Sequence, residues 1–157
     1  VDPARVPTDT PTPTITPTPR ENVNFAVELV EEFAVSADQN WLKVGAEIKS
    51  VGGAPLWGYR LRLVNEATGE SFTSSLVSDS SWHNSTVDYR VFGGTPAADF
   101  RRVNLQFDTN GLSAMGDSRW QIYVVDGGGN IRESSIVRVT TSQTQPKWYY
   151  VQFKRRF

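Results

Sequence analysis

The sequence predicts an all-β protein, an antiparallel β-sandwich preceded by an extended Pro/Thr-rich N-terminal arm, and three observations carry that prediction. From Val23 onward, apolar and polar residues alternate in short runs. Glycine, proline and Asn/Asp/Ser clusters interrupt those runs every 10 to 15 residues or so, the spacing of strands joined by turns. No segment sustains a helical period for long enough to hold a helix against the β-branched and aromatic residues that fill it. A barrel would show much the same pattern.

The arm spans residues 1–22 and the folded domain residues 23–157. Between Thr8 and Arg20 threonine and proline take turns, TDTPTPTITPTPR. Proline fixes φ and lacks a backbone donor, so this stretch joins neither a helix nor a central strand. Alone in water it runs as a solvated rod rising about 3.1 Å per residue. The chain begins at Val1 without methionine, as expected of a processed secreted chain or of a fragment.

The strands follow in order. Val23 to Val35 places Val23, Phe25, Val27, Leu29, Phe33 and Val35 on one parity, with Glu31 as the breach. Ala26, Val30, Phe33 and Ala34 make a competing helical stripe, but valine and phenylalanine suit a pleated surface better. After the turn residues SADQN, Leu42, Val44, Ala46 and Ile48 point one way and Lys43, Glu47 and Lys49 the other, a half-buried strand. Gly52, Gly53 and Pro55 break the chain before Trp57 to Val64, where Tyr59, Leu61 and Leu63 oppose Arg60 and Arg62. NEATGE is a hairpin turn, Ser71 to Val77 a weaker strand, and SDSSWHNST a polar loop. Val87 to Phe92 is a short strand. In Phe100 to Phe107, Val103, Leu105 and Phe107 face inward and Arg102, Asn104 and Gln106 outward. A long loop leads to WQIYVV (Trp120 to Val125). DGGGN supplies a tight reversal, and Ile131 to Thr141 and Trp148 to Phe157 complete the set.

Composition excludes several function classes. The chain has 157 residues, no cysteine, a single histidine and a formal charge of −1. Without cysteine there are no disulfides, thiolate metal sites or cysteine nucleophiles. A near-neutral balance speaks against a nucleic-acid partner, and Lys154, Arg155 and Arg156 read as a solvated end. No run of about 18 apolar residues offers a membrane span.

The segments WQIYVVDGGGNIRESSIVRVTT and GGAPLWGYRLRLVNEATGESF resemble hairpins of immunoglobulin-like modules in secreted and surface bacterial proteins, which also carry such domains on Pro/Thr linkers. The resemblance implies an immunoglobulin-like sandwich of eight or nine strands and an extracellular or cell-surface setting. It transfers no catalytic residues.

The candidate chemistry is sparse. His83 lies near Asp79, Ser80 and Ser81, but no nucleophile elbow frames it. Glu28, Glu31 and Glu32 read as the solvated face of one segment rather than as a paired acid and base. DGGGN, DTNG and SDSS hold oxygens without the spacing of a calcium loop, and read as turns capping their own backbone. No catalytic residue, metal ligand or cofactor is expected. Five tryptophans and five tyrosines suggest a sugar platform of Trp57, Trp82 and Tyr89, weighed against packing in the core; Trp41, Trp120 and Trp148 read as packing anchors. Asn84-Ser85-Thr86 fits the N-glycosylation pattern. Thr8, Thr10, Thr12, Thr14, Thr16 and Thr18 are candidates for O-linked sugar.

A rod that cannot fold by itself, joined to a sheet protein with few reactive side chains, predicts a non-enzymatic extracellular structural or assembly protein. In that reading the chain is a surface or filament subunit whose arm docks on a neighbouring copy through Thr8, Pro11, Pro13, Ile15, Pro17, Pro19, Phe25, Val27 and Leu29. The alternative is a carbohydrate-binding module with polysaccharide as its partner.

Overall fold

The computed structural model describes residues 22–34, 42–78, 80–84, 102–108, 116–145 and 147–157. Those residues contain no helix and form two four-stranded sheets and a two-stranded ribbon. The first sheet joins β1 (Phe25–Ala34), β10 (Lys147–Arg155), β2 (Leu42–Lys49) and β7 (Leu105–Asp108) in the order β1-β10-β2-β7. Its pairings are antiparallel except for β10 with β2, which is parallel. The second sheet is antiparallel throughout and joins β3 (Tyr59–Asn65), β4 (Ser71–Thr73), β8 (Ser118–Asp126) and β9 (Val137–Thr141) in the order β4-β3-β8-β9. The ribbon pairs β5 (His83–Asn84) with β6 (Arg102–Val103).

Strand alternation builds the core directly. Leu42, Val44, Ala46 and Ile48 from β2 meet Leu61 and Leu63 from β3 and Trp120, Ile122 and Val124 from β8, all of them buried. β10 adds Tyr149, Val151 and Phe153. Trp120 lies 5.9 Å from the Phe72 ring and donates its indole N–H to Thr141 Oγ1 at 3.1 Å, so its one polar atom is satisfied inside the core. Phe25 meets Tyr59 edge-on at 5.0 Å.

The long apolar run at the start of the domain is a strand, as its β-branched and aromatic residues predicted, but it does not keep one parity. A bulge at Glu28 shifts the register, so that Val27 opposes Phe153 while Leu29 opposes Gln152 and Val30 opposes Val151. An inserted residue turns the following side chains to the other face. Phe25 and Val27 therefore point to the core, Leu29 turns outward, and Glu31 ceases to be a breach.

Other expectations change for local reasons. Phe100 to Phe107 was to be one strand; the described part is split at Asn104, whose side chain turns in. Its Oδ1 accepts the Ile48 N–H at 2.8 Å, and its Nδ2 donates to the carbonyls of Ile48 and Leu56 at 2.8 and 2.9 Å. The expected outward residue is thus a buried clamp between β2 and the crossover to β3. The strand expected over Ile131 to Thr141 begins only at Val137, and that over Ser71 to Val77 ends at Thr73. Beyond each limit a buried serine takes over part of the ladder. Ser74 Oγ accepts the Leu61 N–H, and Ser134 Oγ accepts the Val124 N–H, both at 2.8 Å. His83 and Asn84, expected in a loop, pair with Val103 and Arg102. The strand expected at Val87 to Phe92 lies outside the described residues, as do the arm residues Thr8 to Pro19, Trp41, Asp79 and Tyr89.

Candidate functional site

Among the described residues, chemistry and exposed apolar surface gather at several places, and the densest is the outer face of the first sheet. There β2 was expected to leave Lys43, Glu47 and Lys49 in solvent. All three are buried, Glu47 with only 1% of its surface exposed. The physical reason is a second cover. Trp148 and Tyr150 of β10 lie on that face beside them, and the β5–β6 ribbon brings Arg102 across. Lys43 Nζ sits 4.4 Å above the centre of the Trp148 ring, a cation–π contact that favours the ammonium there.

Glu47 is the hub. Arg102 Nη2 reaches its Oε1 at 2.9 Å and Lys49 Nζ approaches to 3.5 Å. Tyr150 donates its hydroxyl to Oε2 at 2.6 Å, and Gln152 Nε2 stands at 3.4 Å. Burial alone would raise the carboxyl pKa, but the hydrogen bonds from Arg102 and Tyr150 and the Lys49 charge outweigh it and hold Glu47 below the usual carboxylate range. Tyr150 is pushed up, first by burial and then by its bond to Glu47. Both oxygens of the acid are engaged by donors and the phenol keeps its proton, so the pair is arranged to fasten ribbon to sheet rather than to move protons. At the rim, Glu28 bonds Lys49 and lies 3.8 Å from Lys154. The Lys49 bond comes first among the causes that hold Glu28 below its ordinary pKa.

The proposed sugar platform divides. Trp82 is half-buried, and one face of its ring carries the Arg102 guanidinium at 4.5 Å from the ring centre. Trp57 is 64% exposed, against the expectation that packing would claim it. It sits in the crossover between the sheets, between Leu56, which packs on the core, and Gly58, whose φ of 86° favours glycine. Leu76 and Ile131 are also exposed, and Gly127 approaches both Gly58 and Leu76. Trp82 stacks on Arg102, and Asn104 of the same segment donates to the carbonyl of Leu56, the residue before Trp57.

The third place is a cleft between the edge strands β1 and β9, about 460 Å³ in volume. Ala26, Val27 and Val30 form one wall and Ser135, Ile136, Val137 and Arg138 the other, with Arg156 completing the lining. The bulge at Glu28 is what lets Val27 and Val30, three residues apart, share that wall. One end is closed where the Phe25 N–H bonds the Glu133 carbonyl and the Ser135 N–H bonds the Phe25 carbonyl. At the other end Tyr149 donates its hydroxyl to the Thr140 carbonyl at 2.7 Å and accepts the Thr140 N–H, and Lys147 ties Glu32 to Thr140.

Of the residues assigned to a docking arm, Phe25 is fully buried in its own subunit and Val27 packs against the same core. Those two are corrected: β1 pairs with β10 of its own chain, which uses the hydrogen-bonding side and the apolar face that a donated strand would bring. Leu29 remains 39% exposed. In the DGGGN turn, Asp126 Oδ1 accepts the N–H groups of Asn130 and Ile131 at 2.7 and 2.8 Å. The bond from Ile131, followed by that from Asn130, holds its carboxyl below the ordinary value. That oxygen caps its own backbone, as turn residues do.

The Glu47 cluster escaped the sequence reading, although WYYVQFK carried a signal. Trp148 and Tyr150 occupy the parity opposite to Tyr149 and Val151, and large aromatics on both parities mark a strand covered on both faces. No family model, curated protein or solved structure matches the chain.

Proposed function

We propose that this chain is a non-enzymatic extracellular structural module, an immunoglobulin-like sandwich that assembles with copies of itself through its Pro/Thr arm. One observation carries the reading: β1 and β9, edge strands of the two sheets, flank a cleft lined by Val27, Val30 and Val137 together with Arg138 and Arg156. Exposed edges invite strand addition, in which main-chain hydrogen bonds supply affinity and alternate side chains fill pockets. The engaged state of Glu47 fits a body built for rigidity. The order β4-β3-β8-β9 facing β2 and β7 supports the immunoglobulin-like comparison; the last strand, running parallel to β2, is a departure from it. Sedimentation velocity of the full chain against a chain lacking residues 1–22 tests the reading. Assembly that needs the arm is the expected result, and identical behaviour of the two chains rejects it.

The exposure of Trp57 favours carbohydrate binding as a second reading. Its mark is retention on an insoluble polysaccharide that Trp57→Ala abolishes while the circular dichroism spectrum stays unchanged.

A further inference from the structure

Resting on the arm-docking reading above, we infer that the cleft between β1 and β9 is the acceptor for residues Pro13–Pro17 of a second copy, with Ile15 as its central anchor. The inference starts from the parity of the arm. Pro11, Pro13, Ile15, Pro17 and Pro19 occupy the odd positions and threonines the even ones from 10 to 18. In an extended strand, alternate side chains point to opposite faces, and the N–H and C=O of alternate residues point to opposite edges. Extended, the arm therefore has an apolar face of four prolines and one isoleucine, and a hydroxyl face of threonines. Its threonine edge keeps every N–H, whereas its proline edge has lost all but that of Ile15. Such a strand pairs fully along one side only, as proline in edge strands does. A residue before proline is already held in the extended region, which lowers the entropy lost on docking.

The cleft matches that pattern in length, and its Val27, Val30, Ile136 and Val137 offer apolar surface to the Ile15 face beside the polar Arg138 and Arg156. Its two closed ends leave Ala26 to Val30 facing Ser135 to Arg138, room for about five residues of extended chain at ~3.3 Å each. The floor at Val27 and Val137 adjoins the core, and Val30 stands 43% exposed at the mouth. Among the described residues, no strand other than β10 pairs with β1 over Ala26 to Val30. Threonine N–H groups bond that edge, Ile15 and its flanking prolines fill the cleft, and the threonine side chains stay in water. A second copy is favoured over the chain's own arm. Where the arm leaves the domain, the Phe25 edge is occupied by Glu133 and Ser135, and Asn24 bonds Glu133 and accepts the Arg156 N–H, so a return into the same cleft requires an immediate reversal. Residues 8–20 reach about 40 Å when extended, enough to pass to a neighbour.

Hydrogen exchange of the full chain at rising protein concentration tests this. The amides of Ala26 to Val30 that point away from β10, together with those of Thr14 and Thr16, are expected to slow at least ~10-fold as concentration rises. Ile15→Asp in the arm and Val30→Lys at the exposed mouth each remove that slowing, and β8 amides stay protected in both variants. Slowing of the arm amides alone, unaffected by Val30→Lys, overturns the cleft as acceptor and leaves arm docking standing. Slowing that is independent of concentration assigns the cleft to the chain's own arm and overturns the second copy. An arm that exchanges freely at every concentration rejects both the inference and the reading beneath it.

Discussion

β2 and β3 are both interior strands with the same written pattern, yet their outward charges meet different fates. Lys43, Glu47 and Lys49 on β2 are buried, whereas Arg60 and Arg62 on β3 stay half-exposed. Arg60 spans from the Gly127 carbonyl to that of Ser74, and Arg62 rests on Thr73. The difference lies in what covers each sheet. Over β2 a ribbon and two aromatics of β10 exclude water, so every charge needs a partner. Over β3 solvent reaches the guanidinium groups, and hydrogen bonds there only orient them. Identical alternation thus yields a structural network on one face and a solvated surface on the other, because burial multiplies the strength of a charge interaction and the cost of leaving one unmade.

The largest difference between the two faces is expected at the hub. Glu47→Gln removes the charge that Arg102, Lys49 and Tyr150 converge on, and a loss of about 3 kcal/mol in urea denaturation is expected. Arg62→Gln on β3 should change stability by no more than about 0.5 kcal/mol. The same pair separates by pH. Glu47 has its folded pKa below the unfolded value, so its contribution is complete above the unfolded pKa of about 4.3 and disappears as pH falls through the folded one. Wild type should therefore lose stability below about pH 5 more steeply than Glu47→Gln, with Arg62→Gln tracking wild type. Parallel acid profiles for wild type and Glu47→Gln would show that the carboxylate is not held as described.

Next in size is Asn104→Ala. It strips three hydrogen bonds from the end of β2 and the crossover, leaving buried Ile48 groups unmatched, at a cost of about 2 kcal/mol. A smaller loss, about 1.5 kcal/mol, is expected for Tyr150→Phe, which keeps the ring but withdraws its hydroxyl from Glu47 and from the Arg102 carbonyl. If thermal melts show Tyr150→Phe and Arg62→Gln to be equally mild, the two faces do not differ in the way their burial implies.

Much of the sandwich was legible because the period of a strand is local. Leu42 to Ile48, Leu61 with Leu63, and Trp120 to Val124 announce their inward faces without knowledge of any partner, and NEATGE and DGGGN mark reversals through backbone stereochemistry. The candidate sites were far less legible. Nothing in LKVGAEIK says that Glu47 will be buried, since that depends on Arg102 and Tyr150, which lie 55 and 103 residues away. Nor does the sequence expose the cleft, whose walls come from opposite ends of the domain and whose shape depends on a bulge at Glu28.

The chain on its own determined strand positions, the incapacity of a proline-spaced arm for central pairing, and the parity that gives that arm an apolar face. These follow from φ restriction and two-residue alternation, properties that each residue carries with it. Tertiary structure alone decided which outward faces are dry, which tryptophan stands in solvent, and that β10 inserts between β1 and β2. Those outcomes depend on the arrival of distant segments, and a local pattern holds no record of what will be packed against it.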